Sequence, residues 1–256
     1  MKYDLVVFDA DGTLWDYPRA EAVAIEQAFL ASDFEYRTPE HLELYRRINA
    51  DIWRQFELGR IPAESLSRIR FGRLFDELGF DADPESFSEI YLEHLGRGAY
   101  LIDGAAEIVE RLSDVTRLAL LTNGLSQLQR ARLSRTPFAP RFDEVIISQE
   151  VGSRKPEPAI FAELCGRFPD VAAARTLMVG DSLTSDIRGG IDAGMDTCWF
   201  NPAGLPPGPE IRPTWEIRDL RELIAVVDSS TGTSSAGRSG RAPRDSTPEI
   251  GRAYPG

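Results

Sequence analysis

The chain has 256 residues, with 29 basic and 41 acidic side chains and only two cysteines. A net charge of −12 argues against binding to nucleic-acid polymers. The sequence has no run close to the ~20 apolar residues that span a bilayer. Two cysteines cannot form a disulfide framework, so we expect them to be small buried side chains. The composition therefore predicts a cytoplasmic globular protein of one or two domains, without a membrane partner.

The first predicted element is a buried strand at Leu5–Phe8, which ends at Asp9. Residues 17–98 then show several amphipathic helix patterns and no convincing strand. Breaks between these patterns are expected at Thr38-Pro39, at 59–62, at Gly79 and at Asp83-Pro84. One pattern runs from Glu40 to Glu57, and its apolar face would carry Leu42, Tyr45, Ile48, Ile52, Trp53 and Phe56. This segment is long enough to form a helical cap over one edge of a sheet.

After this insertion, short apolar runs alternate with helical stretches. The predicted strands are Leu118–Leu121, Val145–Ile147, Leu177–Val179 and Cys198–Phe200, and the helices between them are Gln127–Arg135, Pro156–Arg167 and Ser185–Ala193. Such alternation is typical of a doubly wound parallel sheet, a Rossmann-like α/β core that binds ligands at the carboxyl ends of its strands. We therefore expect a core formed by residues 1–16 and 99–228, with a cap at 17–98.

The C-terminal segment 229–256 has a different composition from the rest of the chain. Of its 28 residues, 17 are Gly, Pro, Ser or Thr, and it carries four Arg against one Asp and one Glu. A segment with so little apolar content cannot offset its ordering entropy. We predict a disordered tail.

Carboxylates follow two of the predicted strands. Asp9 and Asp11 precede Gly12 after the first strand, and Asp181 follows the fourth strand, with Asp186 five residues later. Turn formation and helix capping are structural alternatives for such residues. Two charges that end a fully apolar strand are nevertheless unfavourable unless they are paired or metal-bound, which favours a functional role.

A hydroxyl, an amide and a lysine come from the same predicted edge. Thr122 and Asn123 end the second strand just before a helix, where free backbone N–H groups favour an anion, although helix capping is again an alternative. Lys155 is one of only two lysines in a chain with 27 arginines. Because an ammonium is a compact point charge, Lys155 can fit between carboxylates and a phosphoryl group where a guanidinium cannot.

These residues, in this order, resemble the four motifs of the haloacid dehalogenase-like hydrolase superfamily. The resemblance implies that Asp9 is a nucleophile that forms an aspartyl phosphate and that Asp11 is the general acid and base. It also implies that Asp9, Asp181 and the backbone carbonyl of Asp11 hold Mg²⁺. Thr122, the Asn123 amide and Lys155 would bind the phosphoryl oxygens, and Asp186 would orient Lys155 or a metal-bound water.

Other chemistries of the superfamily fit less well. Its dehalogenases lack the carboxylate found here at Asp11, and its phosphonoacetaldehyde hydrolases need a cap lysine, which is missing between Lys2 and Lys155. A sugar-phosphate or phosphoglycolate phosphatase, a phosphomutase, and a nucleotide-binding module without turnover remain alternatives.

The cap pattern is similar to that of the noncanonical pyrimidine nucleotidases of this superfamily. The similarity rests on Tyr45, Asn49, Trp53, Phe56 and Gly59, and on later stretches at 189–194, 197–199 and 213–215. It implies a 5′-nucleotidase that acts on pyrimidine nucleoside monophosphates, as a monomer or homodimer with a small phosphate monoester as its substrate. Trp53 would stack on the base and Asn49 would read its polar edge. Asn49 could instead be satisfied by partners within the cap.

Overall fold

The computed structural model describes residues 1–206, 208 and 210–229, so the predicted disordered tail, apart from Ser229, lies outside the described residues. The core is a sheet of six parallel strands in the order β3-β2-β1-β4-β5-β6. The strands are β1 Leu5–Phe8, β2 Arg117–Thr122, β3 Glu144–Ile147, β4 Thr176–Gly180, β5 Asp196–Phe200 and β6 Trp215–Ile217. The doubly wound α/β fold predicted from the sequence is confirmed.

The strand order places a reversal of winding beside β1. The chain runs from β1 outward to β2 and β3, and then returns so that β4 pairs with the other side of β1, Leu5 lying opposite both Arg117 and Thr176. Ligands bind at such a reversal, outside the carboxyl ends of the strands. Asp9 and Asp181 directly follow β1 and β4 and therefore lie at this point.

Each face of the sheet has its own apolar core. One cluster contains Val6 and Phe8 of β1 and packs against α5 (Ala105–Ser113) and α10 (Leu223–Asp228). Leu5 and Val7 point to the opposite face, where the cluster includes residues of α8 (Pro158–Arg167). Cys198 is buried and Cys165 is half-buried, and both are free thiols.

The remaining core helices are α6 (Ser126–Leu133), α7 (Ser148–Val151) and α9 (Arg188–Asp192). The helix α6 lies close to its predicted position, and α7 was not predicted. Two other predicted helices need correction. The expected helix at Pro156–Arg167 begins only at Pro158. The expected helix at Ser185–Ala193 is a single π turn at Leu183–Ile187 followed by the short α9.

Four helices form the segment between β1 and the rest of the core. They are α1 (Tyr17–Ala31), α2 (Glu40–Glu57), α3 (Leu66–Leu78) and α4 (Pro84–Arg97). The predicted breaks separate these helices, although α1 ends at Ala31, well before the break predicted at Thr38-Pro39. Asp16 and Asp83 accept hydrogen bonds from the first turns of α1 and α4, and Gly79 ends α3 with a φ of 69°. These helices share a separate aromatic and aliphatic cluster. None of the described helices is both long enough and apolar enough to cross a membrane.

The cap also packs directly on the core. Leu128 of α6 belongs to the apolar cluster of the cap. At Gly96 of α4, an added Cβ would lie 3.4 Å from the Cβ of Ala131, so the two helices meet with little space between their backbones. The cap therefore stands over the carboxyl edge of β1 and β2.

Candidate active site

Lys155 and Asp9 form a buried ion pair at the centre of this edge. The Lys155 ammonium lies 2.5 Å from Asp9 Oδ1 and 2.8 Å from Asp186 Oδ1, and it donates to the Leu121 carbonyl at 2.7 Å. Only 1% of the lysine is exposed. Its three protons are thus directed at three acceptors, so Lys155 acts on a bound anion mainly as a fixed positive charge. Burial alone would lower the pKa of Lys155, but the carboxylates of Asp186 and Asp9 outweigh burial and raise it.

The π turn after β4 brings Asp186 back toward the sheet. The Ile187 N–H bonds to the Ser182 carbonyl at 3.1 Å, and the Ser182 N–H donates to Asp186 Oδ2 at 3.0 Å. Gly180 makes room for this return, because a Cβ there would lie 2.2 Å from Asp186 Oδ2. Asp186 therefore touches Lys155 with one oxygen and the loop backbone with the other.

Asp9, Asp181 and Asp186 form an acidic group, with one carboxylate oxygen of each within 4.8 Å of the others. Gly12, with a φ of 89°, permits this approach because a Cβ there would lie 2.4 Å from Asp181 Oδ2. Burial raises the pKa of Asp9 well above its ordinary value; Lys155 opposes the shift, and the two neighbouring carboxylates add to it. Partial desolvation by the surrounding protein and the charge of Asp186 raise the pKa of Asp181 to about 7, although its side chain remains open to solvent.

This group is suited to a hard divalent cation. All of its donors are carboxylate oxygens, which Mg²⁺ prefers. Three carboxylates share a single ammonium, so the group carries more negative than positive charge, and this repulsion adds to the burial that raises the pKa of Asp9 and of Asp181. Asp9 and Asp181 belong to the predicted ligand set. The structure adds Asp186, one of whose oxygens is already engaged by Lys155.

Thr122 and Asn123 line the same cleft, but the side chain of Asn123 is already engaged in hydrogen bonds that would compete with a bound anion. Thr122 is buried at the end of β2, and its hydroxyl accepts from the Gly124 N–H at 3.1 Å. The Asn123 side chain is engaged with the backbone of Lys155: its Nδ2 donates to the lysine carbonyl at 2.9 Å, and its Oδ1 accepts from the lysine N–H at 2.8 Å. Asn123 thus fixes the loop that carries Lys155, and its backbone N–H is the group of this residue suited to a phosphoryl oxygen.

Asp11 is held by two side chains from α6. Gln129 Nε2 donates to Asp11 Oδ2 at 2.6 Å, and Arg132 Nη1 forms an ion pair with Asp11 Oδ1. Both α6 side chains are fully buried, whereas a quarter of the Asp11 side chain is exposed. Arg132 also contacts the cap, since its Nε donates to the Leu95 carbonyl at 3.4 Å. Asp11 is therefore placed at the junction of core and cap.

A cavity of about 350 Å³ connects these core residues to the cap. Its core side includes Asp9, Asp11, Thr122, Asn123, Lys155, Asp181 and Asp186, and its cap side includes Tyr17, Asn49, Trp53, Phe56 and Arg70. Trp53 is half-buried and meets Phe56 edge to face, with ring centroids 5.5 Å apart. One cavity is therefore lined by all nine residues to which the sequence analysis gave a role in catalysis or in binding: Asp9, Asp11, Asn49, Trp53, Thr122, Asn123, Lys155, Asp181 and Asp186.

The side-chain amide of Asn49 already has partners on both sides. Its Oδ1 accepts from Arg70 Nη1 at 2.9 Å, and its Nδ2 donates to Glu21 Oε1 at 3.1 Å. Direct contact between Asn49 and a substrate stays a prediction, and it would require one of these bonds to be exchanged.

Sequence reasoning missed three side chains of the site. Arg70, Arg132 and Gln129 belong to helices whose periodicity describes packing faces only. An arginine also carries little signal in a chain with 27 of them. The one available signal was position: Gln129 and Arg132 follow Thr122–Gly124 within three turns, on the helix that starts from the carboxyl edge of the sheet.

A model of the haloacid dehalogenase-like hydrolase family matches residues 3–194. The chain belongs to this family. HAD-hydrolase YfnB of Bacillus subtilis is 37% identical, over 89% of this chain and 96% of that protein. Its magnesium-bound crystal structure has a TM-score of 0.85 and covers 90% of this chain and all of that chain. The family predicted from the motifs is confirmed.

Two further relatives carry the name pyrimidine 5′-nucleotidase. PynA of Streptococcus pneumoniae is 31% identical over 90% of this chain and 97% of its own length. YjjG of Escherichia coli is 32% identical over 89% of this chain and 99% of its own length. The similarity extends across both the core and the cap, as the cap pattern predicted.

Proposed function

We propose that this protein is a Mg²⁺-dependent phosphatase that hydrolyses pyrimidine nucleoside 5′-monophosphates. The observation that carries the proposal is that Asp9, Asp11 and Lys155 line one cavity whose opposite wall is the cap. A protein that only binds nucleotides needs no carboxylate buried against a lysine at 2.5 Å. The arrangement therefore supports turnover over the non-catalytic alternative.

The first chemical step forms the covalent intermediate. An oxygen of Asp9 attacks phosphorus, a bond forms between that oxygen and phosphorus, and the bond to the ester oxygen breaks. Asp11 donates a proton to the departing oxygen, which leaves as the alcohol of the nucleoside. Lys155 and Thr122 lie where they offset the negative charge of the phosphoryl oxygens.

The second step releases the enzyme. Asp11, now ionised, takes a proton from a water molecule whose oxygen attacks the phosphorus of the aspartyl phosphate. The bond between phosphorus and Asp9 breaks, and inorganic phosphate leaves. Asp9, Asp181 and the Asp11 carbonyl are the groups we assign to Mg²⁺. When bound, Mg²⁺ would neutralise charge on the phosphoryl oxygens and on the acidic group.

The substrate class is proposed from the relatives and the cap. PynA and YjjG, both named pyrimidine 5′-nucleotidase, match almost the whole described chain. The cavity wall formed by Trp53 and Phe56 offers aromatic surface on which a base can stack. The phosphate would lie at Asp9, and the base would lie beneath the cap.

The test is phosphate release from a substrate panel, measured with Mg²⁺ and with excess chelator. The panel contains UMP, CMP, dTMP, AMP, glucose 6-phosphate, phosphoglycolate and p-nitrophenyl phosphate, and Asp9→Asn serves as the matched control without a nucleophile. We expect Mg²⁺-dependent release with the highest kcat/KM for the pyrimidine nucleotides. A higher kcat/KM for a sugar phosphate or phosphoglycolate would replace the nucleotidase assignment. No release from any ester would support the binding module.

A further inference from the structure

Arg70 is a buried charge without a direct ion pair among the described residues: Glu21 attracts it, but only through the intervening amide of Asn49. It lies on α3, is 6% exposed, and forms no ion pair with any described carboxylate. Its Nε is buried and has no hydrogen-bond partner among the described residues. The other buried cations of this region are paired, Lys155 with Asp9 and Arg132 with Asp11. A buried charge without a direct partner is unfavourable, so the position of Arg70 calls for an acceptor that none of the described residues supplies to its Nε.

The cap holds the guanidinium in one place. Arg70 Nη1 donates to Asn49, and Asn49 donates to Glu21, whose other oxygen accepts from Arg46 Nε at 2.8 Å. The guanidinium also lies near three aromatic rings, with its central carbon 4.8–5.9 Å from their centroids: Tyr45, Phe71 and Tyr91. A side chain fixed by such partners is preorganised to bind, because little rotamer freedom remains to be lost.

Arg70 faces the cavity that contains the nucleophile. It lines this cavity together with Asp9 and Lys155, but it belongs to the cap wall and they belong to the core wall. A substrate whose phosphate lies at Asp9 therefore presents its other end to Arg70. Building on the proposed nucleotidase function, we propose that Arg70 is the specificity residue, donating hydrogen bonds to the C2 carbonyl of the pyrimidine base.

The hydrogen-bonding chemistry of arginine selects this atom. A guanidinium only donates, so it needs an acceptor. The exocyclic group at C4 is a carbonyl in uracil and thymine but an amino donor in cytosine, whereas all three bases carry a carbonyl at C2. Adenine has no carbonyl, and its acceptors are ring nitrogens of a larger bicyclic base. An arginine placed to reach the C2 carbonyl thus accepts every common pyrimidine and disfavours adenine, because a base whose acceptors lie elsewhere would leave the buried donors unpaired.

Asn49 acts in this scheme as a positioning residue. Its carbonyl orients Arg70, and its amide is anchored by Glu21. Asn49→Leu should therefore lower kcat/KM for the same substrates as a substitution of Arg70, but by a smaller factor, because the positive charge of Arg70 remains in the cap.

The experiment compares Arg70→Met and Arg70→Lys with wild type and with Arg73→Met. Arg73 lies on the same helix, is exposed and pairs with Asp51 at the surface, so it controls for the loss of a cap arginine. The substrates are UMP, CMP, AMP, the monophosphate of the pyrimidin-2-one ribonucleoside, which keeps only the C2 carbonyl, and p-nitrophenyl phosphate, which has no base.

We expect Arg70→Met to lower kcat/KM for UMP, CMP and the pyrimidin-2-one nucleotide by roughly 10- to 100-fold, the loss expected for a hydrogen bond from a charged donor. Hydrolysis of p-nitrophenyl phosphate should stay within about threefold of wild type, which also shows that the variant is folded. Arg70→Lys should recover part of the loss, and Arg73→Met should behave as wild type. The UMP to AMP ratio should fall in Arg70→Met.

Three results with the variants would overturn the inference, and one with the wild type would overturn it together with the proposed function. Equal losses on UMP and p-nitrophenyl phosphate would make Arg70 a structural cap residue. An unchanged kcat/KM for UMP would mean that Arg70 does not contact the base, and a loss on UMP that spares the pyrimidin-2-one nucleotide would move the contact to C4. A wild-type enzyme that prefers sugar phosphates over UMP would refute the proposed function itself, and the role of Arg70 with it; that result is visible before any variant is measured.

Discussion

Lys155→Met keeps the length of the buried side chain and removes its charge. The substitution leaves Asp9 and Asp186 without the ammonium that lies 2.5 and 2.8 Å from them, and it leaves the Leu121 carbonyl without a donor. Breaking a buried ion pair on one side costs about 3–5 kcal/mol of unfolding free energy. For a chain of this size, about 1 kcal/mol corresponds to a Tm shift of roughly 2–4 °C, so we expect Tm to fall by roughly 6–20 °C.

Lys2→Met is the matched control, because Lys2 is the other lysine of the chain. Its ammonium lies 2.7 Å from Asp196, but a quarter of the Lys2 side chain is exposed. An exposed pair of this kind contributes about 0–1 kcal/mol. Lys2→Met should therefore shift Tm by no more than about 4 °C and leave turnover unchanged.

The assay is thermal unfolding of both variants in chelator and in Mg²⁺, together with turnover of p-nitrophenyl phosphate. We expect turnover of Lys155→Met to fall at least about 100-fold, the effect of removing one preorganised group that stabilises transition-state charge. Mg²⁺ should raise the Tm of Lys155→Met more than that of wild type, since the acidic group then has no other cation. If the two methionine variants unfold within about 2 °C of each other in chelator, the buried-pair reasoning is wrong.

Four further outcomes follow from the same site. Asp9→Asn should lose several orders of magnitude in turnover, yet its Tm in chelator should not fall, because the substitution removes one carboxylate from a group with excess negative charge. Lys155→Arg should also lose most turnover, because a planar guanidinium does not fit three acceptors that converge on one nitrogen. The pKa of Asp181 is raised to about 7 in the folded protein, so its ionisation destabilises the metal-free fold. The contribution of Asp181 to the free energy of unfolding should therefore be greatest at low pH and should fall between about pH 4 and 7, as unfolding scans at several pH values would show. Mg²⁺ should flatten this pH dependence. Arg132→Met should lower kcat/KM for UMP more than for p-nitrophenyl phosphate, because only the poorer leaving group needs the proton of Asp11; equal losses would mean that Arg132 does not position the acid.

The polar residues at the carboxyl edge of the sheet could be predicted from the sequence, because each of them lies next to the strand that positions it. Each of the first five strands contains a short apolar run that is wholly or mostly buried, and a polar residue follows that run directly in the sequence or, in β4, after Gly180. Asp9 after β1 and Asp181 after β4 are brought together by a parallel topology that strand and helix alternation already implies. The sixth strand, Trp215–Ile217, was missed because three residues, one of them the exposed Glu216, do not form a recognisable apolar run.

The cap contacts could not be predicted because they depend on long-range packing. The partners of Asn49 come from other helices: Glu21 precedes it by 28 residues, and Arg70 follows it by 21. Whether a polar residue in an apolar stripe faces a ligand or a neighbouring helix is decided by the orientation of those helices, and periodicity does not encode it. Both interpretations of Asn49 were open from the sequence; the structure shows partners for its amide within the cap, and contact with a ligand stays a prediction.

The charges of the cavity explain how an acidic protein can bind an anionic ester. Among the described residues that line it, four carboxylates face two cations, Lys155 on the core wall and Arg70 on the cap wall. Arg132 lies behind Asp11 and neutralises one carboxylate. The excess that remains is concentrated in Asp9, Asp181 and Asp186, where the pKa of Asp9 is raised well above its ordinary value. A divalent ion at that group would make the phosphate end of the cavity attractive to a dianion. The repulsion from the net charge of −12 is screened by salt at long range and does not cancel this local attraction. In the proposed complex the two ends of the substrate are recognised independently: the core and its ion bind the phosphate, and Arg70, which forms no direct ion pair among the described residues, binds the base.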